Sequence, residues 1–258
     1  VYVAIEPVSA AESLVKVISE DIDLHHFAKI IIQIESALSL ASDRFGFTHY
    51  DLHDSNVLVQ EFGNDIYVPI YYDGTMKYMK TRFLPRIIDY GLSYVQFGKE
   101  KFGFVEEGVF RYLRSYPIRD SVTLLMCCFD DLYRKIRSGK GTDNTDDCIR
   151  FIREIYPATG GEVDEDYPLF GQDVGAVKTG TNMIGNGEMR WNEQRASFSH
   201  EDVLRQIRDV LTPDIFDDLL VSELPPGANV YNANSRSWFA YEGLLFDRDQ
   251  IAEEEAQE

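Results

Sequence analysis

The stretch Phe47-Thr-His-Tyr-Asp-Leu-His-Asp-Ser-Asn-Val-Leu-Val59 sets two histidines, two aspartates and an asparagine ahead of a strand-like apolar run. Its reading decides the fold. If the backbone were extended throughout, His49, Asp51 and His53 would alternate onto one face and offer three ligands to a metal ion. If it is a loop, the same residues carry acid–base chemistry. What lies upstream favours a loop, because the segment before it has the period of a helix. Leu24, Phe27, Ile31, Ile34, Leu38 and Ala41 recur every three or four residues, Asp23 is placed to cap the start, and Gly46 to end it.

The remainder of the chain has the composition of a globular protein. It has 258 residues, 44% of them hydrophobic and 13% aromatic, enough for one large core. A formal net charge of -19 argues against nucleic acid or an anionic membrane as a partner, since either would be repelled over most of the surface. No apolar run has the length of a membrane span, and the start has no basic region ahead of an apolar one, so a cytoplasmic protein is expected. Cys127, Cys128 and Cys148 have no zinc-ligand spacing and read as buried free thiols. A second apolar helix is predicted over Asp120–Gly139, with Val122, Leu125, Phe129, Leu132 and Ile136 in register. Shorter helices are predicted at about 146–156 and 199–211, the latter with Ser199 and Asp202 in capping-box spacing. Between them, 157–198 reads as a long loop.

Within the loop, His49-Tyr-Asp51-Leu-His53-Asp-Ser-Asn56 fits the pattern H-x-D-L-x-x-x-N. Downstream, Pro85-Arg-Ile-Ile-Asp-Tyr-Gly91 is an apolar run closing on Asp89-Tyr-Gly. In this order the two motifs resemble the catalytic loop and the D-F-G element of the protein-kinase superfamily. The segments "YDLH" and "IIDYG" are similar to those of divergent serine/threonine kinases of large DNA viruses. In that case the host-cell cytoplasm or a virion would be the setting. The resemblance implies an α+β, mainly α-helical fold: a protein-kinase-like C-terminal lobe over residues 1–250, followed by an acidic tail at 251–258.

The same resemblance implies phosphoryl transfer from ATP with Mg²⁺ to a protein Ser/Thr hydroxyl. Asp51 would orient and deprotonate the acceptor, and Asn56 and Asp89 would hold magnesium. His49 would pack beneath the loop against backbone near Asp89, and Asp120 would hydrogen-bond the loop backbone. Residues 1–12 would be the fifth strand and hinge, with Ile5 as gatekeeper, Glu6 and Val8 offering backbone to adenine and Glu12 meeting the ribose. Residues 89–117 would form the activation segment.

The departures from the family pattern are as specific. His53 stands where protein kinases carry a lysine; small-molecule kinases of the aminoglycoside phosphotransferase type carry a histidine there, so that acceptor class stays open. Tyr50 replaces the arginine that clamps an activation-segment phosphate. The separation of Asn56 from Asp89 is far longer than usual, and the excess, about 60–86, alternates like a hairpin with a turn at Asp73-Gly74. Its aromatic residues suit docking onto the lobe or onto a partner. No Gly-rich loop and no strand lysine precede the hinge, so the expectation is a lobe of a larger kinase, with a non-catalytic interaction module as the alternative.

Overall fold

Two apolar helices and one long hairpin define the architecture. The structure is a computed structural model and describes residues 10–231 apart from 104, 107–109, 112–114, 162 and 164–196. Strand β1 (Ala11–Ser13) leads directly into the short helix α1 (Leu14–Ser19), and α2 spans Leu24–Phe45. Asp23 caps α2 by accepting from the His26 amide at 2.9 Å, and Gly46 ends it in the left-handed region at φ 53°. Both limits are those read from the sequence. The periodicity foretold one buried face, yet Ile30, Ile31, Ile32 and Ile34 are all buried, so α2 is covered on several sides. The hairpin and two later helices, α4 (Asp143–Ile155) and α5 (His200–Val210), pack on it.

The hairpin consists of β2 (Val57–Tyr72) and β3 (Thr75–Ile87). Its turn is the two-residue pair Asp73-Gly74, both at positive φ (50° and 69°), which matches the twist of the flanking strands. Ile66, Val68, Ile70 and Tyr72 alternate inward. The pairing register shifts between Glu61 and Ile66, where β2 bulges. Backbone and side chain tie the hairpin to α2: Gln33 Nε2 donates to the Phe83 carbonyl at 3.0 Å, and the Tyr71 amide donates to Ser36 Oγ at 2.8 Å. The aromatic hairpin therefore lies on the body of the protein. The sheet order is β1-β2-β3-β8, antiparallel throughout, with β8 at Leu220–Val221.

After the hairpin come two small ribbons, β4 (Val95–Phe97) with β5 (Glu100–Phe102) and β6 (Val105–Glu106) with β7 (Phe110–Arg111). Helix α3 (Ile118–Arg137) then crosses the core, burying Val122, Leu125, Phe129 and Leu132. Helix α4 runs Asp143–Ile155, beginning earlier than the sequence suggested because Thr142 and Thr145 form a reciprocal capping box. Helix α5 spans His200–Val210 with the Ser199/Asp202 box in place, and α6 spans Pro213–Leu219. Cys128 and Cys148 are buried, whereas Cys127 is only partly so, a correction to the reading of all three as buried. Among the described residues no helix is long and apolar enough to cross a membrane.

Candidate functional site

The loop between α2 and β2 runs beside the segment that follows β3. Thr48 and Tyr94 form an antiparallel bridge, with Tyr94 N donating to Thr48 O at 2.8 Å and Thr48 N to Tyr94 O at 3.0 Å. Ile88 N donates to Asn56 O at 2.9 Å. These bonds hold Asp51 and Asn56 on one segment beside Asp89 on the other.

Two buried side chains brace the loop from within. Asp120, on the first turn of α3, accepts from His49 N through Oδ2 at 2.6 Å and from Tyr50 N through Oδ1 at 2.9 Å. Two consecutive amides reach one carboxylate because Tyr50 sits at φ 70°, a strained value for a residue with a side chain. Burial pushes the Asp120 carboxyl up to about 6, and the His49 amide, His200, the Tyr50 amide and Arg119 each draw it back. His49 is fully buried, with Nε2 donating to the Ile88 carbonyl at 2.9 Å and Nδ1 accepting from the Asp51 amide at 3.3 Å. That pattern is the neutral Nε2–H tautomer, and burial lowers the His49 pKa in agreement with it.

The metal-site reading of His49, Asp51 and His53 fails on this geometry. Both His49 nitrogens face backbone groups, and the left-handed Tyr50 breaks the alternation that would have aligned the three side chains. Among the described residues no group of three or more His, Cys, Asp or Glu side chains is arranged to hold a metal ion.

The groups left open to chemistry are few. The Asp51 carboxylate is 42% exposed, and His53 Nε2 stands 4.0 Å from its Oδ2. Asn56 is buried and donates from Nδ2 to the Asp51 carbonyl at 2.9 Å, which fixes the orientation of the amide. Asp89 is exposed and, like Tyr50, left-handed at φ 62°. Asp51 and Asn56 thus sit in one braced loop and Asp89 one residue beyond its brace.

No protein-family model matches the chain. A stretch of 107 residues, 40% of the chain, is 31% identical to "Probable kinase 098L" of Invertebrate iridescent virus 3. The chain spans 20% of that protein's length.

The hinge residues Ile5, Glu6 and Val8 lie outside the described residues. Glu12 is described: it lies in β1 opposite Val59 and pairs with Lys16 one helical turn on. It also borders a cleft of about 830 Å³ shared with Glu20, Asp23, Val59, Arg82 and Phe83, which Asp51, Asn56 and Asp89 do not line.

Three buried polar features at or behind the loop escaped the sequence reading. Asp54, two residues before Asn56, is buried, its Oδ2 meets no donor among the described residues, and the carboxyl of Asp131 on α3 faces it. Arg119 lies over the Tyr50 ring at 5.3 Å. Glu35, Ser121 and His200 meet in the core at 2.8 Å. The only sequence signal for them was an acidic residue inside an otherwise apolar helical stretch, as at Glu35 and Asp131.

Proposed function

We propose that the chain is a protein-kinase-like C-terminal lobe that transfers phosphate from Mg-ATP to a protein Ser/Thr hydroxyl. The observation that carries the reading is the brace itself: one buried carboxylate, Asp120, takes two successive amides of the loop bearing Asp51 and Asn56, while His49 ties that loop to the residue before Asp89. Positioning of this kind is what phosphoryl transfer asks of a protein, because little covalent chemistry is left for it to do. The kinase-named viral relative supports the same reaction class.

In this reading Asp51 does the proton work. Its carboxylate is exposed enough to meet an acceptor hydroxyl, and its backbone is held by Asn56 and His49, so it would orient the hydroxyl and take its proton as the new bond forms. Asn56 and Asp89 would hold Mg²⁺. Their chemistry fits: a carboxylate and an amide oxygen are hard donors, and the amide is already turned by its bond to Asp51. When bound, the ion supplies neutralisation of phosphate charge. Glu6, Val8 and Glu12 would meet the adenosine part of ATP.

His53, 4.0 Å from Asp51, keeps a second acceptor class in view, the small hydroxylated molecule. One experiment addresses both. Transfer from labelled ATP is measured with protein and with aminoglycoside acceptors, for the wild type, Asp51→Asn and Asp89→Ala. Asp51→Asn should lower transfer by roughly a hundredfold or more and keep magnesium-dependent nucleotide binding. Asp89→Ala should lose the magnesium-dependent thermal shift. Equal loss of binding and transfer in Asp51→Asn would refute its role, and transfer only to the small acceptor would replace the protein-substrate reading.

A further inference from the structure

Between helix α2 and the hairpin lies an apolar groove of about 500 Å³, lined by Ala37, Leu40 and Phe45 of α2 and by Val68, Met76 and Leu84 of the hairpin. Tyr90, whose ring lies 5.3 Å from that of His49, also lines it, so the groove reaches the candidate site. Ala37, Met76 and Tyr90 are exposed. An apolar groove open to water marks a surface on which something packs, and this one has the volume to take a few large side chains.

The chain itself supplies an occupant. Tyr231, the last described residue, lines the same groove. Its amide donates to the Tyr67 carbonyl at 2.8 Å, the Tyr67 amide donates to the Asn229 carbonyl at 2.8 Å, and Arg86 donates to the Tyr231 hydroxyl at 2.9 Å. These bonds pin the chain to the hairpin beside the groove. Seven residues on comes Trp238-Phe-Ala-Tyr-Glu-Gly-Leu-Leu-Phe246, six large apolar side chains in nine positions, set between polar Asn232–Ser237 and acidic Asp247–Glu258. Fully extended, the seven-residue separation reaches at most about 25 Å. Two general effects favour this occupant over a separate molecule. A net charge of -19 makes two copies of the chain repel each other. A segment tethered by a few residues is present at an effective concentration of millimolar order, which a free partner has to match in solution.

We propose that the groove between α2 and the hairpin is a docking site for the segment Trp238–Phe246 of the same chain, whose aromatic and leucine side chains cover Leu40, Phe45 and Val68. The proposal is independent of the phosphoryl-transfer reading.

The chain has two tryptophans, Trp191 and Trp238, so Trp191→Phe in the full chain leaves Trp238 as the only indole reporter. Its emission in the native protein should lie to the blue of that in urea and resist acrylamide quenching, at every protein concentration tried. Ala37→Glu and Met76→Glu each set a carboxylate in the groove from an exposed position, one on α2 and one on β3. Each should move the emission to the red and raise the quenching constant by about twofold or more, because an apolar segment does not bury an unpaired charge. Circular dichroism shows whether the variants are folded. If neither is, the ¹H–¹³C methyl signal of Met76 decides: Trp238→Ala leaves the groove intact and should move that signal by removing the ring current of the indole. An emission equal to that in urea, a blue emission indifferent to both glutamates, or in the last case an unmoved Met76 signal would overturn the proposal. A blue shift that grows with concentration alongside a dimer in light scattering would hand the groove to the segment of a second copy, and docking within one chain would be wrong.

Discussion

Replacing Asp54 by asparagine should stabilise the protein and flatten its response to pH. Asp54 opens the turn Asp54–Asn56 at the end of the loop, and its buried carboxyl faces that of Asp131 on α3. Burial first and Asp131 second push it up from 3.8 to about 8. The native state thus holds a proton that the unfolded chain has already released. Stability from this group is full below the unfolded pKa of 3.8 and falls steadily as pH rises to about 8. Each pH unit is worth about 1.4 kcal/mol, so a carboxyl held at about 8 would lose roughly 6 kcal/mol over that window. The Arg134 guanidinium meets Asp131 at 3.0 Å and draws the Asp54 carboxyl back, an effect already contained in that figure. Asparagine has no proton to lose and still presents an N–H to Asp131 and an oxygen to the Ser55 amide. Urea unfolding of both proteins at about pH 4, 5, 6, 7 and 8 measures the difference, in which titrating groups that do not face Asp54 cancel. The gap should be smallest near pH 4 and widen by several kcal/mol toward pH 8. Parallel curves, or a less stable variant at the alkaline end, would show that Asp54 is not held protonated in the fold.

Two glycines give sharper tests of packing against backbone strain. A Cβ on Gly161 would lie 2.0 Å from Cε1 of the fully buried Tyr156 ring, so Gly161→Ala should cost about 1–3 kcal/mol in chemical denaturation; a neutral result would mean the ring has room to move. Gly74 has nothing within 4 Å of its added Cβ but sits at φ +69°, so Gly74→Ala should cost only about 1 kcal/mol of backbone strain. A loss well above that would show that the turn makes contacts beyond its own backbone.

Much of the local structure was legible before any coordinates. Asp23 and Gly46 bound α2, Ser199 and Asp202 open α5, and Asp73-Gly74 turns the hairpin, because each of these signals acts within four residues of itself. The start of α4 was misplaced for a related reason: Thr142 with Thr145 is a weaker capping signature than serine with an acid, and only the reciprocal bonds reveal it. The order of Asp51, Asn56, Asp89 and Asp120 was likewise plain in the chain. Glu6 and Val8 fall outside the described residues, so the hinge reading stays with the sequence.

What only the tertiary structure decided is which buried polar groups face each other. The sequence marks Glu35 as a polar residue on an amphipathic helix, where solvent is the ordinary destination; the fold buries it against His200, 165 residues away. Asp54 reads as one more acid in an acidic loop until α3 brings Asp131 opposite it. The strain at Tyr50 is intelligible only once Asp120 offers both oxygens to successive amides. Periodicity tells how much of a helix is apolar, but not its rotation against two neighbours packed on different sides. That rotation is set by the sum of many weak contacts, and it decides whether a carboxylate meets water, a cation or another carboxylate.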